Sequence, residues 1–145
     1  ARGHQHSSRL LHSETLKAPV ALAQSFGLRA GARLFHVVLV HLEDGVAMQM
    51  EDRYVNPAAA PQFMAQDFNL TTPTHYLLEH APLTEASYAI EATGASAQEA
   101  QALDLAIGAP CLVMTRATRS GAHVASLVRL VYPGSRYSFG GKFQL

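Results

Sequence analysis

The apolar positions of this chain change period several times, and the changes mark out its elements. From Ala18 to Phe26 they recur at helical spacing, with Pro19 suited to a first turn and Gly27 to the left-handed residue that ends a helix. Arg33 to Glu43 is rich in Val, Leu and Phe; Asp44-Gly45 is a strong hairpin signal, and Val46 to Val55 continues as a strand until Asn56-Pro57 stops it. The pattern predicts a short helix over Pro61 to Gln66. It predicts another beginning near Thr74, with Thr72 as cap and Pro73 in the first turn. Leu83 to Thr93 reads as a strand. Ser96 and Glu99 then stand at capping-box spacing before the apolar stripe Ala100, Leu103 and Leu105. Cys111 to Arg119 and Ala122 to Tyr132, joined at Ser120-Gly121, form a second hairpin, and Arg136 to Phe143 reads as a last extended piece. About six strands and three or four helices, with helices between hairpins, predict an α+β fold on a mainly antiparallel sheet.

The order of signals repeats. Leu28, Gly31, Ala32, Gly45, Arg53, Val55 and Pro57 recur as Leu105, Gly108, Ala109, Gly121, Arg129, Val131 and Pro133, at an offset of about 77 with one gap at the turn. An internally duplicated helix-hairpin unit predicts two similar halves packed together, and clefts between packed halves favour small ligands. Function is then expected where the copies differ: Glu51 opposite Leu127, Met50 opposite Ser126, Asn56 opposite Tyr132 and Leu39 opposite Arg116.

Composition narrows the class. At 145 residues and 48% hydrophobic the chain can bury one core, so a single compact domain is expected. Eleven basic and eleven acidic side chains cancel, which removes the basic footprint of a nucleic-acid-binding surface. The single Cys111 cannot form an internal disulfide. Neither a membrane span nor a signal peptide is visible, and a soluble, cytoplasmic setting is expected. Residues 1–8 are polar without an apolar period and read as the end of a linker, with the domain proper over 9–145. His4 and His6 there lack a third ligand for a metal.

On the strand Val46 to Val55 a side-chain period of two puts Gln49, Glu51 and Arg53 on one face and Met48, Met50 and Tyr54 on the other. From periodicity alone the first set reads as a solvated face with an ion pair worth under about 1 kcal/mol. Arg116 and Arg129 interrupt apolar strands, and each reads either as a carboxylate grip or as a structural partner of Glu51, Asp52 or Glu91. His36 and His41 have opposite parity on their strand, so only one can face a given cavity. No nucleophile elbow, phosphate-binding glycine loop or His-Glu-x-x-His pair is present, and Cys111 lacks an obvious base. Binding is expected rather than turnover, with no cofactor.

Four segments carry a family likeness: Gln49-Met50-Glu51-Asp52-Arg53-Tyr54-Val55-Asn56-Pro57, Thr72-Pro73-Thr74-His75-Tyr76-Leu77-Leu78, Pro82-Leu83-Thr84-Glu85-Ala86 and Tyr132-Pro133-Gly134-Ser135-Arg136-Tyr137. The chain resembles the effector-binding (UTRA) domain of GntR-type bacterial repressors, and within that superfamily the histidine utilization repressors. The resemblance implies a chorismate lyase-like fold, a homodimer, and a winged helix-turn-helix domain before residue 1 as the route to DNA. It implies urocanate as inducer, with an imidazole at one end and a carboxylate at the other. Similar regulators use an acid on the first hairpin, which falls on Glu51, and a hydroxyl at the start of the middle helix, which falls on Thr74. A polar residue and a tyrosine on the last hairpin strand fall on Ser126 and Tyr132. Where sugar-phosphate-binding relatives carry two arginines, this chain has Leu39 and His41, which disfavours phosphate. The candidate ligand-binding set is Glu51, Arg116, Thr74, Tyr132, Ser126, His41, Arg53, Tyr76 and Arg129. The alternatives are a sensor of another metabolite, such as a sugar phosphate or a different carboxylate, a chorismate lyase-like enzyme, and a dimerisation module with a vestigial pocket.

Overall fold

A computed structural model describes residues 5–144. Six strands form one sheet: β1 (His6–Lys17), β2 (Arg33–Glu43), β3 (Val46–Val55), β4 (Glu85–Gly94), β5 (Pro110–Ser120) and β6 (His123–Pro133). Their order is β1-β2-β3-β6-β5-β4, and every neighbouring pair is antiparallel. The helices are α1 (Val20–Ser25), α2 (Pro73–His80) and α3 (Ala97–Leu103), with a 3-10 turn at Phe63–Ala65. The α+β antiparallel architecture is the expected one.

Two elements differ from expectation. The N-terminal stretch, read as linker through residue 8, is the start of edge strand β1, and residues 1–4 of that expected linker lie outside the described residues. No apolar alternation marks β1, because it is an exposed edge whose side chains are mostly polar. The expected last strand, Arg136 to Phe143, is not one. After β6 the chain packs Tyr137 and Phe139 against Tyr132, and Arg136 donates to the carbonyls of Ala47, Leu103 and Asp104. Those last two carbonyls lie at the C-terminal end of α3, where a cation is favoured.

The duplication is larger and more regular than the sequence suggested. Each copy is a strand, a helix and a hairpin: β1-α1-β2-β3 and β4-α3-β5-β6. The loop bonds match one for one: Gly31 N–H to Ala18 O and Gly108 N–H to Ala95 O, both 2.8 Å, and Leu28 N–H to Ala23 O and Leu105 N–H to Ala100 O, both 2.9 Å. Gly31 and Gly108 share a left-handed φ of 85°, which glycine adopts at little cost. The hairpins also match without a gap. Glu43 pairs with Val46 and Ser120 with His123; each ladder then skips one residue, between His41 and Leu42 in one copy and between Thr118 and Arg119 in the other. The offset is therefore 77 throughout. Asp44, at φ 50°, is the counterpart of Gly121, at φ 58°. The apparent match of Arg53 with Arg129 came from a false gap at that turn; by register Arg53 corresponds to Leu130, Glu51 to Val128 and His41 to Thr118.

Helices α1 and α3 cover one face of the sheet. Ala23 and Phe26 pack on Leu34 there, and Ala100 and Leu103 pack with Val38, Val40, Met50 and Val131. The α3 cap is complete, with Ser96 Oγ accepting from Glu99 N–H and Glu99 returning the bond to Ser96 N–H. Ser96→Ala should cost about 1 kcal/mol, read as a lower midpoint in urea denaturation with unchanged slope. On the opposite face the segment between the copies folds back. Phe63, Phe68, Tyr76 and Leu77 pack on Val37, Leu39 and Val55, which lays α2 across the sheet.

Candidate functional site

The face beneath α2 carries one line of side chains from each copy. β2 and β3 contribute Leu39, His41, Gln49, Glu51 and Arg53; β6 and β5 contribute Ser126, Val128, Leu130, Tyr132, Arg116 and Thr118. In the second copy the positions equivalent to Glu51 and Arg53 are Val128 and Leu130, part of an apolar cluster with Tyr132. The same place in the fold is thus hydrocarbon in one half and ionic in the other.

The ionic half is buried, not solvated. Glu51 and Arg53 are each 2% exposed and His41 8%, which corrects the reading of this face as a weak surface pair. Glu51 Oε1 meets His41 Nε2 at 2.7 Å, and Oε2 accepts from Arg53 Nε at 2.5 Å. The two terminal nitrogens of Arg53 donate to Ser126 Oγ at 2.6 Å and Thr74 Oγ1 at 2.8 Å. Thr74 is brought there by α2, whose first turn is set by Pro73 and by the Thr72 side chain accepting from His75 N–H. Burial alone would raise the Glu51 carboxyl; the Arg53 guanidinium and the His41 hydrogen bond outweigh it and hold the group down at about 2. Among the described residues no buried side-chain nitrogen or oxygen lacks a partner.

Arg116 is held differently. It is half-buried, and among the described residues its side chain reaches only Thr74 Oγ1, at 3.4 Å, and the Met114 sulfur, at 3.9 Å. Burial, followed by the like charge of Arg53, depresses its guanidinium below the ordinary value; arginine stays charged regardless. It is a cation with donors to spare beside a second cation, an arrangement that an incoming anion would relieve.

Two cavities meet at Thr74. One, of about 210 Å³, is lined by Arg53, Thr74, Leu77, Leu83, Arg116 and Thr118. The other, of about 230 Å³, is lined by residues including His6, His41, Gln49, Glu51, Tyr132 and Tyr137. In the second, Gln49 Nε2 donates to Tyr132 Oη at 2.8 Å, leaving the tyrosine proton free to donate. His6 Nε2 lies 3.0 Å from His41 Nδ1. Burial and then the neighbouring His41 hold His6 below its ordinary value, which favours the neutral ring. A chain in which His6 donates to His41 and His41 to Glu51 satisfies all three groups.

Seven of the nine candidates therefore converge: His41, Glu51, Arg53, Thr74, Arg116, Ser126 and Tyr132. Tyr76 points away, into the core beside Phe63, with His80 stacked on it. Arg129 lies on the other face, ion-paired with Glu99 of α3. Its parity on β6 is opposite to that of Arg53 on β3, which the false gap at the turn concealed. Among the cavity residues outside the candidate set are Gln49 and His6. Gln49 shares the parity of Glu51, a signal already available in the sequence; His6 was set aside with the supposed linker.

The comparisons with known proteins agree with this architecture. The family model described as the UTRA domain matches residues 1–138. The chain is 43% identical over 143 residues to the histidine utilization repressor of Pseudomonas putida and 42% identical to that of Klebsiella aerogenes, covering 99% of this chain in each case. It spans only 58% and 59% of those proteins, less than two thirds of their length. Both relatives are repressors by name. The crystal structure of the C-terminal domain of the histidine utilization repressor from Pseudomonas syringae pv. tomato superposes with a TM-score of 0.91 at 38% identity, covering 97% of this chain and 99% of that one. The ligand-binding domain of a GntR-family regulator from Bordetella bronchiseptica shares the fold, with a TM-score of 0.80 at 20% identity, 97% of this chain and 92% of that one being covered.

Proposed function

We propose, from the premise that this chain belongs to the UTRA domain family, that it is the ligand-sensing part of a histidine utilization repressor and that its inducer is urocanate. What carries the reading is the contrast between the copies: a scaffold that is content with Val128 and Leu130 in one half holds Glu51 and Arg53 in the other. Buried ion pairs are poor stabilisers compared with hydrocarbon of similar volume, so packing gives no reason for the polar set.

Urocanate is planar and bipolar, and its two ends suit the two cavities. Its carboxylate pairs with Arg116, which has unfilled donors, with Thr74 alongside. Its imidazole extends toward Gln49, Glu51 and Tyr132, where the Tyr132 hydroxyl donates to one ring nitrogen and an acceptor takes the other N–H. Arg53, each of whose three nitrogens already donates within the protein, orients Glu51 and Thr74 rather than gripping the ligand.

In this reading the domain acts as a homodimer and reaches DNA only through a preceding winged helix-turn-helix domain, in the cytoplasm. Among the described residues no helix is long and apolar enough to cross a membrane. Induction requires the ligand to prefer the arrangement that does not fit the operator, by a coupling of roughly 1–3 kcal/mol. Calorimetric titration with urocanate should give saturable heat and a raised melting temperature. Silence at millimolar urocanate, while a sugar phosphate binds, would sink the ligand assignment.

A further inference from the structure

On the face opposite the cleft, the edge of the sheet gathers a second set of titratable groups. Glu14 of β1 lies directly across from His36 of β2, and His12, two residues earlier, shares its face. One ligand atom from each of His12, Glu14 and His36 lies within 4.8 Å of the others. Asp52 of β3 meets His36 Nε2 at 2.7 Å, and the His36 ring stacks on Tyr54 with centroids 4.1 Å apart. His12 already contacts Glu14.

We propose that His12, Glu14 and His36 form a binding site for a divalent transition metal, zinc being the best match. Two imidazoles and one carboxylate are a donor set that zinc accepts, with water in the fourth position. Zinc bonds of about 2.0–2.2 Å put tetrahedral ligand atoms roughly 3.4 Å apart, so modest rotations of the exposed His12 and Glu14 close the set. His36 is the preorganised ligand: its Nε2 contact with Asp52 holds the ring, and in the tautomer that donates from Nε2 the nitrogen left to ligate is Nδ1. That is the carboxylate-histidine support common around metal sites. His12 and His36 are ordinary surface and half-buried groups with no part in the cleft, so the site is independent of the urocanate reading. A bound ion would tie edge strand β1 to β2 through side chains as well as through the ladder.

The test is zinc chloride titrated calorimetrically into the metal-stripped chain at about pH 7.5, where imidazoles are neutral and able to ligate. One zinc per chain is expected, and Co²⁺ in its place should show the visible bands of a four- or five-coordinate ion. His12→Ala and Glu14→Gln, both at exposed positions and so expected to keep the fold by circular dichroism, should each weaken binding at least tenfold. Asp52→Asn, which touches only the supporting residue, should weaken it about 10–100-fold. His6→Ala and the pair His75→Ala, His80→Ala should leave the isotherm unchanged. Absence of saturable binding overturns the proposal. So does binding that survives His12→Ala and Glu14→Gln, or that disappears with the control substitutions.

Discussion

Glu51→Gln is expected to cost about 3–5 kcal/mol of stability, because it leaves the buried Arg53 guanidinium without its counter-ion. For a domain of this size that is a fall in melting temperature on the order of 10 °C. The loss should depend on pH in a defined direction. The Glu51 carboxyl titrates at about 2 in the folded chain against 4.5 as its ordinary value. The native state therefore gains from ionising it: the contribution is complete above about 4.5 and disappears as pH falls toward about 2. The gap between wild type and Glu51→Gln should be widest near neutrality and narrow across that interval. A more informative variant transplants the second copy into the first: His41→Thr, Glu51→Val and Arg53→Leu together. Since the scaffold packs those residue types at the equivalent positions, most of the lost stability should return, while the response to urocanate should not. If Glu51→Gln melts within a degree or two of wild type with the same acid profile, the carboxylate is not the buried anion described above.

Arg116→Ala should show the opposite separation, with stability nearly unchanged and ligand binding lost. Its present contacts are long and few, so little stability depends on them. A charge-assisted contact to a ligand carboxylate is worth roughly 1.5–3 kcal/mol, or about 10–150-fold in affinity for urocanate. Arg116→Lys should recover only part of this, because an ammonium cannot make two parallel bonds to one carboxylate. In a reporter strain carrying the full-length regulator, Arg116→Ala should repress normally and fail to induce. Unaltered urocanate affinity in Arg116→Ala would remove the carboxylate from that end of the cleft.

The sequence carried much of this architecture, and its failures have physical causes. Hairpin turns, the α3 capping box and the apolar faces of β2, β3, β5 and β6 were legible because local chemistry and the two-residue period agree there. β1 was not, since an edge strand that buries little needs no alternation, and its polar side chains resemble a linker. The tail was misread for the converse reason: Tyr137 and Phe139 are apolar because they pack on Tyr132, not because they join the sheet. At the site, parity grouped Gln49, Glu51 and Arg53 correctly, yet it could not reveal that α2 roofs them. Arg129 was drawn in by an alignment gap that strand register removes, since one residue of slip moves a side chain to the other face.

The seam between the copies also bears on how the chain folds. Within each half the strand contacts are close in sequence, and a hairpin can form on its own. The β3–β6 ladder, by contrast, joins residues as remote as Met50 and Val131, and such closure is slow because loop entropy is spent before contacts repay it. Until it forms, each half presents a central strand as a bare edge, open to pairing with the wrong partner. Arg53 reaches across this seam to Ser126. The residue that organises the floor of the cleft is therefore complete only once the strand pairing most distant in sequence has been made.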